Sequence, residues 1–447
     1  MKKKHSRYQQ GENRGIAQHR SIGFKPNWKF IKVALYLQTL LLTIVCSSWS
    51  VNTQAEVGED FTIGVYYGMP SLEPKDNFSW DYAFMDMARI GCNRIVLSGN
   101  CWSDGWAAIK HWDMKVITSY GELNAYPGEG KWKPEDHEAN IRLVKKERDK
   151  LVWNGEYLGD TLIGHIMADE PECEGLTEDK KNFLRTWADT YHRINPERVV
   201  IVNHCDPPWY DLNEKQATCS AAPTIRANGF RITNRIKAAQ EIGLENFTTV
   251  ALLGNITMWA ANMCDRIEYF ELGPCSQEVF DWLAMRSNYQ DAYEELLTAY
   301  YFGSLGFHPY MYNQHRGYSL VDKDGNDQYG IRNGFCDAAH DLRMTQGWPS
   351  VELFHNEVAF QDRGRYAAGS FVLTAQVEEN SVSIAKVIFG KTTDGGATWE
   401  SLEDNDAPYS ATFSVETDKT VIFRAQAVDT DGRKSIFSAN MINTNAD

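Results

Sequence analysis

The chain has 447 residues, 43% of them hydrophobic and 12% aromatic, which is enough apolar material for one large and one small domain and too much for a disordered chain. Asp and Glu number 60 against 45 Lys and Arg, a formal charge of −15. A surface of that sign repels phosphate backbones, so nucleic acid is excluded as an expected partner.

Nine of the basic residues and one of the acidic ones fall in the first 55 positions, where Lys2 to Lys32 precede the apolar run Val33 to Cys46. The run is short for a bilayer span, and Thr53-Gln54-Ala55 offers small residues before a cleavage point. Positions 1–55 are therefore expected to be an export signal. The competing reading, an uncleaved anchor, rests on the length of the basic region. Loss of the segment would take the formal charge to about −23, and the remaining chain is expected in the periplasm, at the cell surface or outside, with no stable membrane insertion. Eight of nine cysteines would remain, an even number that permits disulfides in an exported protein, with Cys92/Cys101, Cys205/Cys219 and Cys264/Cys275 nearest in sequence. No CxxC pair occurs, so no metal site is expected.

In chain order, Phe61 to Tyr67 is a continuous apolar run of buried-strand type. Apolar residues at helical spacing fill Trp80 to Ile90, and Gly91 supplies the stop. Asn93 to Leu97 predicts a second strand, Trp106 to Trp112 a short helix, and Met114 to Ser119 a third strand that leads to Tyr120-Gly121-Glu122. A long charged helix is expected over Pro134 to Trp153. The fourth strand, LIGHIMADEPE from Leu162 to Glu172, ends in two adjacent carboxylates and a proline. Thr177 to Ile194 is an amphipathic helix and Arg198 to Asn203 a fifth strand. The sixth is placed near Trp209 to Leu212, before a helix at Ile232 to Ile242. Phe247 to Leu253 is the seventh strand, followed by a helix from about Gln277 to Phe302 and an eighth strand from Gly306 to Tyr312.

Strands alternating with helices over nearly 300 residues indicate an α/β fold. Polar and aromatic residues follow nearly every strand, which suits a ring of loops at one mouth, so a closed (β/α)8 TIM-like barrel over 56–349 is favoured over a doubly wound sheet. There is no Gly-rich phosphate loop, and no cofactor is expected. From 350 to 447 the pattern changes to short alternating segments, Phe371 to Val377, Ser383 to Phe389, Ala411 to Val415, Thr420 to Ala427 and Ser435 to Met441, with Asp-Gly turns between them. This predicts a small all-β sandwich. Through AKVIFGKTTDGG, DAPYSATFSV and FRAQAVDTDGRKS it resembles the bacterial immunoglobulin-like modules of secreted carbohydrate enzymes, which implies a spacer or packing partner and less often a glycan binder.

The carboxyl end of a barrel strand is where barrel enzymes carry chemistry, which singles out Asp169 and Glu170. A Glu among aromatic residues with a carboxylate beside it has its pKa raised, as a general acid requires. Neighbouring strand residues point to opposite faces, so Asp169 is read as a supporting residue. His165 is read as facing inward. Tyr67, Asn100, Trp102, Tyr120, Asn203, His204, Trp209, Asn255, Trp259, Tyr310, Tyr312 and Gln314 lie at strand ends, where they could stack on sugar faces and bond hydroxyls; taken singly, each is better explained by packing, and together they favour a carbohydrate groove. His308 could assist with an anionic sugar.

DYAFMDMARIGCNRIVLSGNCW, the Ala-Asp-Glu-Pro end of the fourth strand and AYYFGSLGFHPYMYNQ together resemble barrel glycoside hydrolases of the clan with an Asn-Glu-Pro acid at strand four. The resemblance implies Glu170 as general acid/base, with Asp169 in place of the usual Asn. It also implies a nucleophilic Glu after strand seven, where this chain has Asn255. Asp206 after strand five, flanked by His204 and Trp209, or Glu122 after strand three, are the substitutes. The expected function is an exported glycoside hydrolase acting on a polysaccharide or oligosaccharide by paired carboxylates. Inverting or substrate-assisted cleavage, a noncatalytic glycan-binding barrel and a structural surface protein are the alternatives.

Overall fold

The structure is a computed structural model and describes residues 61–67, 80–97, 103–118, 134–169, 178–204, 216–221, 247–251, 288–309, 320–321, 325–327, 329–378 and 382–445. The chain divides into two compact units, Met1–Gln54 and Ala55–Asp447, and all that follows concerns the second. The expected export signal lies outside the described residues.

Its strands begin with β1 (Thr62–Tyr67), β2 (Arg94–Leu97) and β3 (Lys115–Thr118), separated by helices α1 (Trp80–Arg89) and α2 (Ser103–His111). Helix α3 (Pro134–Arg148) precedes a two-stranded hairpin, β4 (Val152–Trp153) and β5 (Glu156–Tyr157). There follow β6 (Leu162–Asp169), α4 (Glu178–Ile194), β7 (Val199–His204), β8 (Gln216–Ala221), β9 (Phe247–Ala251), α5 (Tyr289–Tyr301), β10 (Gly306–Pro309) and α6 (Ile331–Thr345). The order β1-β2-β3-β6-β7-β8-β9-β10 closes back on β1 as a barrel, and every ladder is parallel. Alternation along the strands sorts the core into two layers. Ile63, Ile95, Val116 and Phe307 pack outward with helix residues such as Phe84, Trp106 and Phe335, whereas Val96, Ile117, Ile166 and Ile201 form a separate cluster within the barrel. Each large side chain fully buried this way contributes about 1.5–3 kcal/mol.

Three expectations are corrected, and one helix is added. The sixth barrel strand is Gln216–Ala221, because the small and polar QATCSA pairs on both edges despite its weak apolar signal; Trp209 to Leu212 and the helix expected at 232–242 lie outside the described residues. The charged helix stops at Arg148, since Asn154 and Gly155, with φ of 47° and 85°, form the left-handed two-residue turn that closes the hairpin. Helix α5 starts at Tyr289, where Asn288 accepts from the amides of Gln290 and Asp291, and Asp291 accepts in return from the Asn288 amide. That reciprocal cap fixes the first turn. Helix α6 was not anticipated. It lies along α5 through two rungs, Tyr289 donating to Asp337 and Tyr293 to Asp341, each at 2.6 Å.

From Ser350 the chain forms two further sheets. One orders β12 (Val358–Ala359), β11 (Ser350–His355), β14 (Gly369–Glu378) and β17 (Ser410–Val415); the other orders β13 (Gly364–Ala367), β19 (Ser438–Asn445), β18 (Thr420–Asp429), β15 (Ile384–Thr392) and β16 (Glu400–Asp404). Phe371, Leu373 and Phe413 of the first sheet meet Phe389, Val421 and Phe423 of the second in one core, a sandwich.

The sandwich is joined to the barrel by buried, compensated charge. Asp86 of α1 is fully buried and accepts from Arg89 at 2.6 Å and Arg332 of α6 at 2.5 Å; Arg89 also reaches Asp362 at 3.1 Å, to which Tyr82 donates at 2.9 Å. Arg424 of β18 lies 3.8 Å over Trp399, 5.0 Å over Phe437 and 5.2 Å over Trp112, and donates to the His111 carbonyl. Gly395 and Gly396, at φ of 68° and 98°, let the turn between them settle on Asp81 and Trp112, where a β-carbon would collide. Cys92 and Cys336 are free thiols. Of the pairings that the sequence leaves open, Cys92 with Cys101 is not formed: Cys92 is only 5% exposed, within the core behind α1. No helix among the described residues is long and apolar enough to cross a membrane.

Candidate functional site

Because the barrel strands are all parallel, their carboxyl ends gather at one rim, the end where barrel enzymes place their chemistry. Strand β6 is the longest of the eight, at eight residues, and reaches the rim at Asp169. There Asp169 is level with Asn203 of β7, and one residue on, His204 is level with Cys219 of β8. Tyr67 ends β1 level with Leu97. Ala221 and Ala251 are level with one another, and Ala251 with Pro309. Asp169, Asn203, His204 and Tyr67 thus share the rim by register, on β6, its neighbour β7, and β1.

β6 carries two register irregularities, one against β3 between Leu162 and Gly164 and one against β7 between Ile166 and Ala168. Such bulges turn a strand and are frequent beside active sites. The second interrupts the two-residue period just before Asp169, so a face assignment counted from His165 does not carry to Asp169.

The two candidate histidines lie on opposite sides of the barrel wall. His165 faces outward, correcting the inward reading. Its Nδ1 shares a 2.5 Å hydrogen bond with Tyr191 Oη of α4, the rings meet edge to face at 5.5 Å, and Tyr191 stacks on Trp187. At 1% exposure it is buried between strand and helix. His308 faces inward. Its neighbour Phe307 packs outward on Phe335, and a β-carbon on Gly64 would lie 2.3 Å from His308 Cδ2. The glycine is required because the imidazole crosses β1 there. Arg94 is level with Gly64, and burial pushes its guanidinium pKa down to about 10. This is a basic group that sequence reading missed; its position, two strands from His308 but level with Gly64, emerges only once the barrel register is known. Among the described residues no group of three His, Cys, Asp or Glu is placed to hold a metal ion.

Glu170, Asp206, Glu122, Asn100, Trp102, Tyr120, Trp209, Asn255, Trp259, Tyr310, Tyr312 and Gln314 lie outside the described residues. Glu170 directly follows the last residue of β6 in sequence, and Asp206 follows His204, the last of β7, by two.

By sequence the chain matches no protein-family profile and no curated protein. Its solved structural neighbours include glycoside hydrolases. A beta-glucuronidase of Parabacteroides merdae aligns with a TM-score of 0.40 at 11% identity, over 87% of this chain and 50% of the other. An FMN-binding beta-glucuronidase of Facaelibacterium prausnitzii L2-6 aligns at 0.43 and 11% identity, over 87% and 57%. A beta-D-mannosidase of Dictyoglomus thermophilum aligns at 0.41 and 11%, over 85% and 50%. The chain thus spans about half the length of these enzymes. At scores and identities so low the likeness carries no argument about chemistry, which rests on the rim residues themselves.

Proposed function

We propose that the protein is an exported glycoside hydrolase that cleaves a polysaccharide or oligosaccharide, with Glu170 as general acid/base and Asp206 or Glu122 as the second carboxylate. The observation that carries this reading is the end of β6 at Asp169, on the rim of a closed parallel barrel and level with Asn203. The chain enters its Asp-Glu-Pro turn at the position where barrels present an acid to substrate. A glycosidic oxygen must be protonated as it leaves, while a second carboxylate stabilises or attacks the developing oxocarbenium centre. Asp169 orients neighbours at the rim, and the sandwich, an immunoglobulin-like module in this reading, serves as a packing partner along the barrel's helices.

A noncatalytic glycan-binding barrel is the second reading, and one observation favours it. β9 is the seventh barrel strand, and after its end at Ala251 no Asp or Glu occurs before Asp265. The two separate on Glu170→Gln assayed against a panel of neutral and acidic glycans. The hydrolase reading expects cleavage by the wild-type protein, lowered by about 10²–10⁴-fold in the variant with glycan binding retained. Binding with no cleavage by the wild type establishes the second reading.

A further inference from the structure

The amino ends of the barrel strands hold a second feature. Gly91 to Asn93, which lead into β2, and Trp112 and Asp113, which lead into β3, face the sandwich segment 431–437 across a cleft of about 510 Å³. Arg343 of α6 lines this cleft and an adjoining one of about 320 Å³. Other arginines at the junction have carboxylate partners, Arg89 and Arg332 through Asp86, or an aromatic box, as Arg424 has. Arg343 has neither kind of full compensation. Its Nη2 donates to the Gly91 carbonyl at a long 3.4 Å, its Cζ lies 5.1 Å over the Trp348 ring, and its buried Nε has no hydrogen-bond partner.

Among the described residues no carboxylate forms an ion pair with it. Asp113, one of the acids in the cleft wall, is bridged to Lys434 at 2.9 Å. Cys92 supplies no charge either, because burial pushes its thiol pKa well above the usual range and keeps it neutral. Burial also draws the Arg343 pKa down, to about 10, which leaves it charged at neutral pH. An embedded guanidinium is costly unless an opposite charge compensates it, and it cannot shed its proton to escape that cost.

We propose that this cleft is a ligand site in which an oxyanion, a sulfate, phosphate or carboxylate group, seats on the Arg343 guanidinium. The planar donor fork suits two oxygens at once. Arg433 and Lys434 add positive charge to a wall that also carries Asp431 and the Lys434-paired Asp113, and Trp348 lies beside the guanidinium. The cleft is larger than an oxyanion needs and lies in the range of sites for small organic molecules, so the group is carried on a sugar or a comparable small acid. The site is at the opposite end of the strands from Asp169, and it holds whether or not the barrel is an enzyme.

The test uses the full chain. Thermal melting in sodium sulfate is compared with sodium chloride at equal ionic strength, and calorimetry is run with glucuronate and with glucose. The expected result is an added sulfate-specific rise in Tm, glucuronate binding at least about tenfold tighter than glucose, and loss of both in Arg343→Met with partial retention in Arg343→Lys. Sulfate without glucuronate assigns an inorganic or ester oxyanion, and glucuronate assigns a sugar acid. Should Arg343→Met fail to fold, peptide mapping of phenylglyoxal modification on the wild type serves instead, with Arg343 protected by the anion. No anion-specific effect in the wild type, an effect unchanged in Arg343→Met, or no protection of Arg343 overturns the proposal.

Discussion

The two ends of the barrel handle polar groups in opposite ways. At the sandwich junction, charge is taken into the interior and compensated: Asp86 is fully buried between Arg89 and Arg332, and Arg424 is held among three aromatic rings. At the rim, β6 carries Asp169 to its last residue, level with Asn203, and leads straight into Glu170. The difference teaches how one barrel divides its labour. Polar groups with fixed partners far from the mouth lock the domains together, whereas the strand ends bring polar residues to the rim, the face where barrel enzymes carry chemistry.

That division can be broken first at the junction. Asp86→Asn removes the shared counter-charge of two arginines and is expected to cost about 3–5 kcal/mol in chemical denaturation; a loss below about 1 kcal/mol would mean that the ion cluster does not hold the junction. Next is the barrel wall. In Gly64→Ala the new methyl would lie 2.3 Å from His308 Cδ2 and 2.9 Å from the Arg94 carbonyl, and overpacking there is expected to cost about 1–3 kcal/mol, whereas a neutral result would show that His308 can leave the barrel interior freely.

The smallest effect depends on pH. Burial, with Asp104 and Asp394 nearby, raises the Asp81 pKa from 3.8 to about 6. The folded state therefore holds this proton more tightly than the unfolded chain, so stability from the neutral carboxyl is fully present below about pH 4 and is lost as pH rises through about 6. Asp81→Asn should leave Tm nearly unchanged at about pH 4 and raise it at about pH 7.5. Equal differences at the two pH values would remove Asp81 from the account.

Much of this architecture can be read from sequence because the determinants are local. β1, β2, β7 and β9 are β-branched or aromatic runs with clear boundaries, and Gly91, at φ of 89°, ends α1 where expected. QATCSA of β8 could not be read this way, since it is held by two neighbouring ladders and carries little apolar signal of its own. Asn154-Gly155 was a readable turn signal, outweighed by the charged helical pattern before it. The side taken by His165 was not readable, because alternation gives the period of a strand and not its phase; Tyr191, 26 residues away, settles it. The junction is less legible still. Asp86 and Arg332 are 246 residues apart, and nothing in either segment announces the other. At the rim, the strand that leads to the acid before Pro171 was legible from its apolar run, while the choice of a second carboxylate depends on which loops meet.

On the proposed function, Glu170 does chemistry and Asp86 holds the fold. The most direct measurement is product release and Tm on one preparation of Glu170→Gln beside the wild type, with a cleavable glycan found by the panel. The account predicts cleavage reduced by about 10²–10⁴-fold with Tm within about 2 °C of the wild type. Undiminished cleavage, or loss of cleavage accompanied by a large fall in Tm, would contradict it.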